Sequence, residues 1–251
     1  DSLNAAILGP DAGPGTPEFD LFVREVHREM TSKAGQKCTA IRRVLVPAAH
    51  ERALIAALSE RLGQTAIGLP GDERSRMGAL ASVGDRDGVR DMIARIAVEA
   101  EIVFGDPAQV SLVSGEAGRG AFMAPVLLRC ENALDATAPH DVEAFGPVAT
   151  VMAYRDLDEA AELARRGKGS LVSSVFTNDG DVAAELVGAI ASFHGRVMIG
   201  NRDSAKSSTG HGAPLAPLVH GGPRGDGGPG DEPPGRHGLR RGPGRAGQGR
   251  G

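Results

Sequence analysis

Between residues 148 and 199 the chain switches repeatedly between two apolar patterns, and this alternation limits its fold more than any other feature. Residues 148–154, 171–176 and 197–199 are strand-like apolar runs, while 157–166 and 181–192 carry apolar side chains at helical spacing. Strand, helix, strand, helix, strand predicts an α/β layer with a mainly parallel sheet and flanking helices, because parallel neighbours need a crossover connection. The first half has the same grammar. Phe19, Phe22, Val26 and Met30 form a stripe over a predicted helix at 17–33, where Pro17 is tolerated in the first turn. A strand is predicted at 44–46, a helix at 48–62, a helix at 85–100, and strands at 102–104 and 122–128.

A chain of 251 residues can bury a real core, as one large domain or two small ones. It has no tryptophan, so that core must come from Ala, Val, Leu and Ile. The formal net charge of −4 argues against nucleic acid as a partner. No run approaches the roughly 20 apolar residues that span a bilayer, and the first residues have no signal-peptide pattern. A cytoplasmic protein without a membrane partner is the expectation. The chain does not begin with methionine, which suggests a start within a longer protein. From Gly221 onward it is Gly, Pro and Arg with scattered acids, and Leu239 is the only large aliphatic side chain. Such material cannot bury enough apolar area to offset its conformational entropy, so residues 223–251 are predicted to be a disordered tail after a folded 1–222. Aromatic side chains that stack on bases are missing there, which weighs against a nucleic-acid tail.

The segment Gly35-Gln36-Lys37-Cys38 falls on a connection between a predicted helix and a predicted strand. Glycine just before a thiol lets the backbone turn tightly and leave sulfur open, making Cys38 the candidate nucleophile. Taken alone, without their motif context, Cys38 reads as an inert small residue, Glu143 as a solvated surface acid and Phe145 as a core ring. Cys38 and Cys130 are a poor disulfide framework in a chain this long, so both should be free, with Cys130 a core thiol. The spacing of His194, His211 and His220 suggests no metal site. Lys206, Thr209 and His211 either line a substrate entrance or form a structural loop.

Two motifs together, Gly35-Gln36-Lys37-Cys38 and Glu143-Ala144-Phe145-Gly146-Pro147-Val148, with the βα pattern around them, resemble the aldehyde dehydrogenase superfamily. Further segments, 19–26, 33–43 and 201–222, resemble a bifunctional branch that joins this domain to a hot-dog hydratase in phenylacetate degradation. The resemblance implies the catalytic, C-terminal half of an aldehyde dehydrogenase domain. It implies that the Cys38 thiolate adds to an aldehyde carbonyl, that hydride passes to NADP or NAD, and that water then hydrolyses the thioester. Glu143 would bind the nicotinamide ribose and Phe145 would pack near the nicotinamide. The substrate would be a CoA-linked semialdehyde of phenylacetate catabolism, or one of a related CoA-dependent pathway such as benzoate breakdown, and the parent protein would be a homo-oligomer.

By the same resemblance the general-base glutamate falls just before Asp1, and the oxyanion asparagine and most of the dinucleotide-binding domain lie further upstream. The familiar continuation stops near Pro223, consistent with a reading-frame slip in GC-rich DNA. The isolated chain is therefore expected to be an inactive fragment of an active enzyme, and a truncated product that merely binds partners is the competing reading.

Overall fold

The computed structural model describes residues 2–204 and 210–212, all within one compact unit, Asp1–Gly212. The predicted division after residue 222 and the predicted disordered tail lie outside the described residues.

Seven strands form one sheet: β1 (Ala5–Leu8), β2 (Arg43–Pro47), β3 (Glu101–Phe104), β4 (Val126–Cys130), β5 (Val148–Tyr154), β6 (Ser170–Phe176) and β7 (His194–Gly200). Their order across the sheet is β3-β4-β5-β2-β1-β6-β7. Every pairing is parallel except β3 with β4. The helices are α1 (Pro17–Thr31), α2 (Glu51–Gly63), α3 (Val83–Ile96), a single turn α4 (Ala138–Asp141), α5 (Leu157–Arg165) and α6 (Gly180–Ile190). This is the mainly parallel α/β sheet with flanking helices that the alternation predicts.

Side chains on a strand point alternately to its two faces, and the sheet sorts its core accordingly. Ala6, Leu8, Val44, Val46, Ala149 and Val151 pack with Phe19, Phe22, Val26 and Met30 of α1 and Leu54, Leu58 and Leu62 of α2. Ala5, Ile7, Leu45, Val148 and Met152 face the other layer, with Val89 and Ile93 of α3, Leu163 of α5 and Leu186 of α6. Phe22 and Phe176 meet edge to face at 5.1 Å, a favourable quadrupole arrangement.

Several boundaries move for identifiable reasons. Pairing of β4 starts at Val126 and not at residue 122, because Pro125 has no N–H to give a ladder. Helix α3 opens two residues earlier than predicted, where the Ser82 side chain caps the Asp85 N–H, and closes at Ile96. Central strand β1 was not anticipated. Its four residues, Ala-Ala-Ile-Leu, are too short to show a period, and alanine favours helix in isolation. Among the described residues no helix is long and apolar enough to cross a membrane.

Candidate active site

Four strands in the middle of the sheet, in the order β5-β2-β1-β6, all point the same way. Their entering loops therefore converge at one edge. Ser2 just before β1, Cys38 before β2, Glu143 and Phe145 before β5, and Leu171 at the start of β6 line one cleft of about 440 Å³. The three residues singled out from the sequence are thus brought together. The cleft sits at the amino ends of these strands, whereas ligands in open parallel sheets more often bind beyond the carboxyl ends.

The Cys38 loop is built by an unusual backbone turn. After α1, Lys33, Ala34 and Gly35 have φ of 53°, 51° and 71°, three left-handed residues in succession. Left-handed φ at the first two costs about 1–2 kcal/mol each, a strain the surrounding contacts must hold. Gly35 is glycine for a second reason: a Cβ there would lie 2.1 Å from the Gly146 carbonyl oxygen. Lys37 turns away from the cleft to pair with the fully buried Glu29 carboxylate at 2.9 Å. The next side chain, Cys38, is left exposed.

Asn4 fixes the far end of the loop. Its buried amide nitrogen donates to the carbonyls of Cys38 and Ala40, both at 2.9 Å, and its oxygen accepts the Val172 N–H at 3.0 Å. Among the described residues nothing accepts the Cys38 backbone N–H. By contrast Cys130 is fully buried, its thiol donates toward the Glu99 carbonyl, and burial pushes its pKa up.

Across the cleft, the Glu143 carboxylate accepts the Ser2 N–H at 2.9 Å and the Arg42 Nε–H at 3.3 Å. A carboxylate offers about four acceptor sites, so two bonds leave capacity for a ligand's hydroxyls. The Phe145 ring is 41% exposed, too open for a core residue, and the Arg42 guanidinium lies 5.2 Å from its centroid. Burial lowers the pKa of Arg42, and the Glu143 charge opposes that shift.

Asn4 and Arg42, like the lining residues Ser2 and Leu171, are site residues that sequence reading did not single out. Nothing in a lone buried asparagine announces its contacts, but the first arginine of Ile41-Arg42-Arg43, immediately before a buried strand, could have raised the question. The alternative of an entrance lined by His211 is corrected: the ring is fully buried and its Nδ1 meets the Ser174 hydroxyl at 2.8 Å. Lys206 and Thr209 lie outside the described residues. Among the described residues no group of His, Cys, Asp or Glu side chains could hold a metal ion.

Residues 4–212 match the model of the aldehyde dehydrogenase family. The chain is 49% identical over 224 residues to a 3,4-dehydroadipyl-CoA semialdehyde dehydrogenase from Aromatoleum evansii, covering 89% of this chain and 44% of that protein. It is 44% identical over 148 residues to protein MaoC of Klebsiella aerogenes, covering 59% of this chain and 42% of that one. The chain thus spans less than half the length of either relative. Among solved structures, betaine aldehyde dehydrogenase from Staphylococcus aureus in complex with NAD+ superposes with a TM-score of 0.67 at 25% identity, over 79% of this chain and 37% of that one. Gamma-glutamyl-gamma-aminobutyraldehyde dehydrogenase from Burkholderia cenocepacia J2315 gives 0.68 at 25% identity, over 79% and 37%. On the match across residues 4–212 and these likenesses, the chain belongs to the aldehyde dehydrogenase family.

Proposed function

We propose that this chain carries the nucleophile and the nicotinamide-facing wall of an NADP- or NAD-dependent dehydrogenase that oxidises a CoA-linked semialdehyde. The observation that carries the reading is the single cleft shared by exposed Cys38, Glu143 and Phe145. The 49% identical CoA-semialdehyde dehydrogenase supports the substrate class.

In this reading Cys38 attacks the aldehyde carbon as thiolate, and its own backbone N–H stabilises the developing oxyanion. Glu143 holds the ribose hydroxyls with its remaining acceptor capacity, and Phe145 gives the nicotinamide ring an apolar face. Both fit that end of a dinucleotide. When bound, the dinucleotide supplies the hydride acceptor. Cys38 is then left as a thioester awaiting water. Among the described residues lining the cleft, Glu143 is the one carboxylate and it is already engaged, so the 251-residue chain by itself should not sustain turnover.

The pathway has two candidates. The motif resemblance favours a ring-opened semialdehyde of phenylacetate catabolism. The identity to an enzyme named for 3,4-dehydroadipyl-CoA semialdehyde favours that substrate or a near neighbour. A cytoplasmic homo-oligomer acting on a soluble CoA ester is consistent with either.

The test is native intact-mass analysis after mixing the chain with a CoA-linked semialdehyde. One aldehyde (thiohemiacetal) adduct on Cys38, absent from Cys38→Ala, is expected. An adduct that survives Cys38→Ala, or none in either protein, would refute the assignment. Steady NAD(P)H formation by the chain alone would refute the expectation that Glu143, already engaged, leaves the cleft without a base for turnover.

A further inference from the structure

Arg42 touches both walls of the cleft, yet its side chain is almost completely buried, with the residue only 4% exposed. Its Nη2 donates to the Gly35 carbonyl at 2.8 Å and to the Lys37 carbonyl at 3.4 Å, both in the cysteine loop. From the same fork, Nη1 donates to the Gly146 carbonyl at 2.7 Å and Nε to the Glu143 carboxylate at 3.3 Å. The guanidinium carbon lies over the Phe145 ring, 5.2 Å from its centroid. One side chain therefore engages the loop that presents Cys38 and, through Glu143, Phe145 and Gly146, the segment across the cleft.

The two segments are also pressed together where Gly35 meets the Gly146 carbonyl. Contact there sets how close the walls can come, but a van der Waals contact does not fix their angle. A guanidinium does, because its donors are rigidly splayed in one plane and each of its three nitrogens already donates to a different acceptor. The left-handed turn at residues 33–35 is held at its end, since Arg42 takes the carbonyl of its last residue, Gly35, and that of Lys37 just beyond it.

We infer that Arg42 is a positioning residue that sets the geometry of Cys38 relative to Glu143 and Phe145 by tying the two loops to one rigid fork. The inference rests on the proposed roles of those three residues, but its structural half can be tested without them. Hydrogen exchange on the full 251-residue chain is the measurement, comparing wild type with Arg42→Gln and Arg42→Lys.

In Arg42→Gln, amides of residues 35–40 and of 143–146 should both exchange about tenfold faster or more, while those of β2 and β5 remain within about twofold. Arg42→Lys should resemble Arg42→Gln, since a single ammonium cannot span acceptors on both loops. Restored protection with lysine would overturn the inference, because charge alone would then suffice. So would a change confined to one loop, or faster exchange spread equally through the core strands in both variants, which would make Arg42 a residue of general stability. Loss of the Cys38 aldehyde adduct bears on the proposed function and leaves this exchange pattern untouched, so the two can fail separately.

Discussion

At the scale of single residues, the site depends on positions where substitution has little room. Gly35 combines φ of 71° with a backbone neighbour 2.1 Å from where a Cβ would be. Gly35→Ala adds left-handed strain and an overlap with backbone that cannot rotate away, so it should cost at least about 2 kcal/mol of stability. A shift in the denaturant midpoint measures this, and a variant as stable as wild type would contradict the packed contact with Gly146. The candidate nucleophile was legible because its neighbours form a motif. Arg42 and Asn4 were not, since their importance lies in contacts to carbonyls far along the chain, which no local pattern encodes.

At the scale of elements, legibility followed length and caps. Strand β5 and helix α5 emerged with nearly their observed bounds because each has a full apolar pattern and a clear start. Asp156 caps α5 by accepting the Glu159 N–H at 2.9 Å, and the Glu159 carboxylate returns a bond to the Arg155 N–H at 3.1 Å. Asp156→Ala should therefore cost about 1 kcal/mol, read as a lowered midpoint of thermal or urea unfolding, and no change would mean the cap is replaced by water. The short central strand β1 escaped notice for the opposite reason. Four apolar residues with two alanines carry no period, and only the sheet around them, with β2 on one side and β6 on the other, selects the strand.

At the scale of the whole molecule, stability should depend on pH through histidines sealed in the core. His140 donates from Nε2 to the Ala133 carbonyl and accepts from Arg43 at Nδ1, which suits the neutral ring. Burial foremost, with nearby Arg43 and Arg166 adding to it, lowers its pKa to about 4. Burial, reinforced by Arg196, Lys37 and Arg28, lowers that of His211 to about 3. The unfolded chain then takes up these protons first as pH drops below about 6.5, so stability is full above that value and falls toward pH 4. At pH 5 the loss should be about 2 kcal/mol per histidine, seen as a lower melting temperature than at pH 7.5. Below that range the Glu18 carboxyl, held down to about 2 chiefly by its hydrogen bonds from Arg202, adds a second acid-side loss. A melting temperature flat from pH 7.5 to 5 would contradict neutral, buried rings. The sheet that buries these groups also carries the converging loops of the cleft, and there the most direct measurement is available. Iodoacetamide alkylation, followed by peptide mass, should modify exposed Cys38 at least about a hundredfold faster than Cys130, whose burial raises its pKa, and a CoA-linked semialdehyde should slow the Cys38 reaction alone. Equal rates at the two thiols, or a Cys38 rate that the aldehyde leaves unchanged, would contradict a poised nucleophile in that cleft.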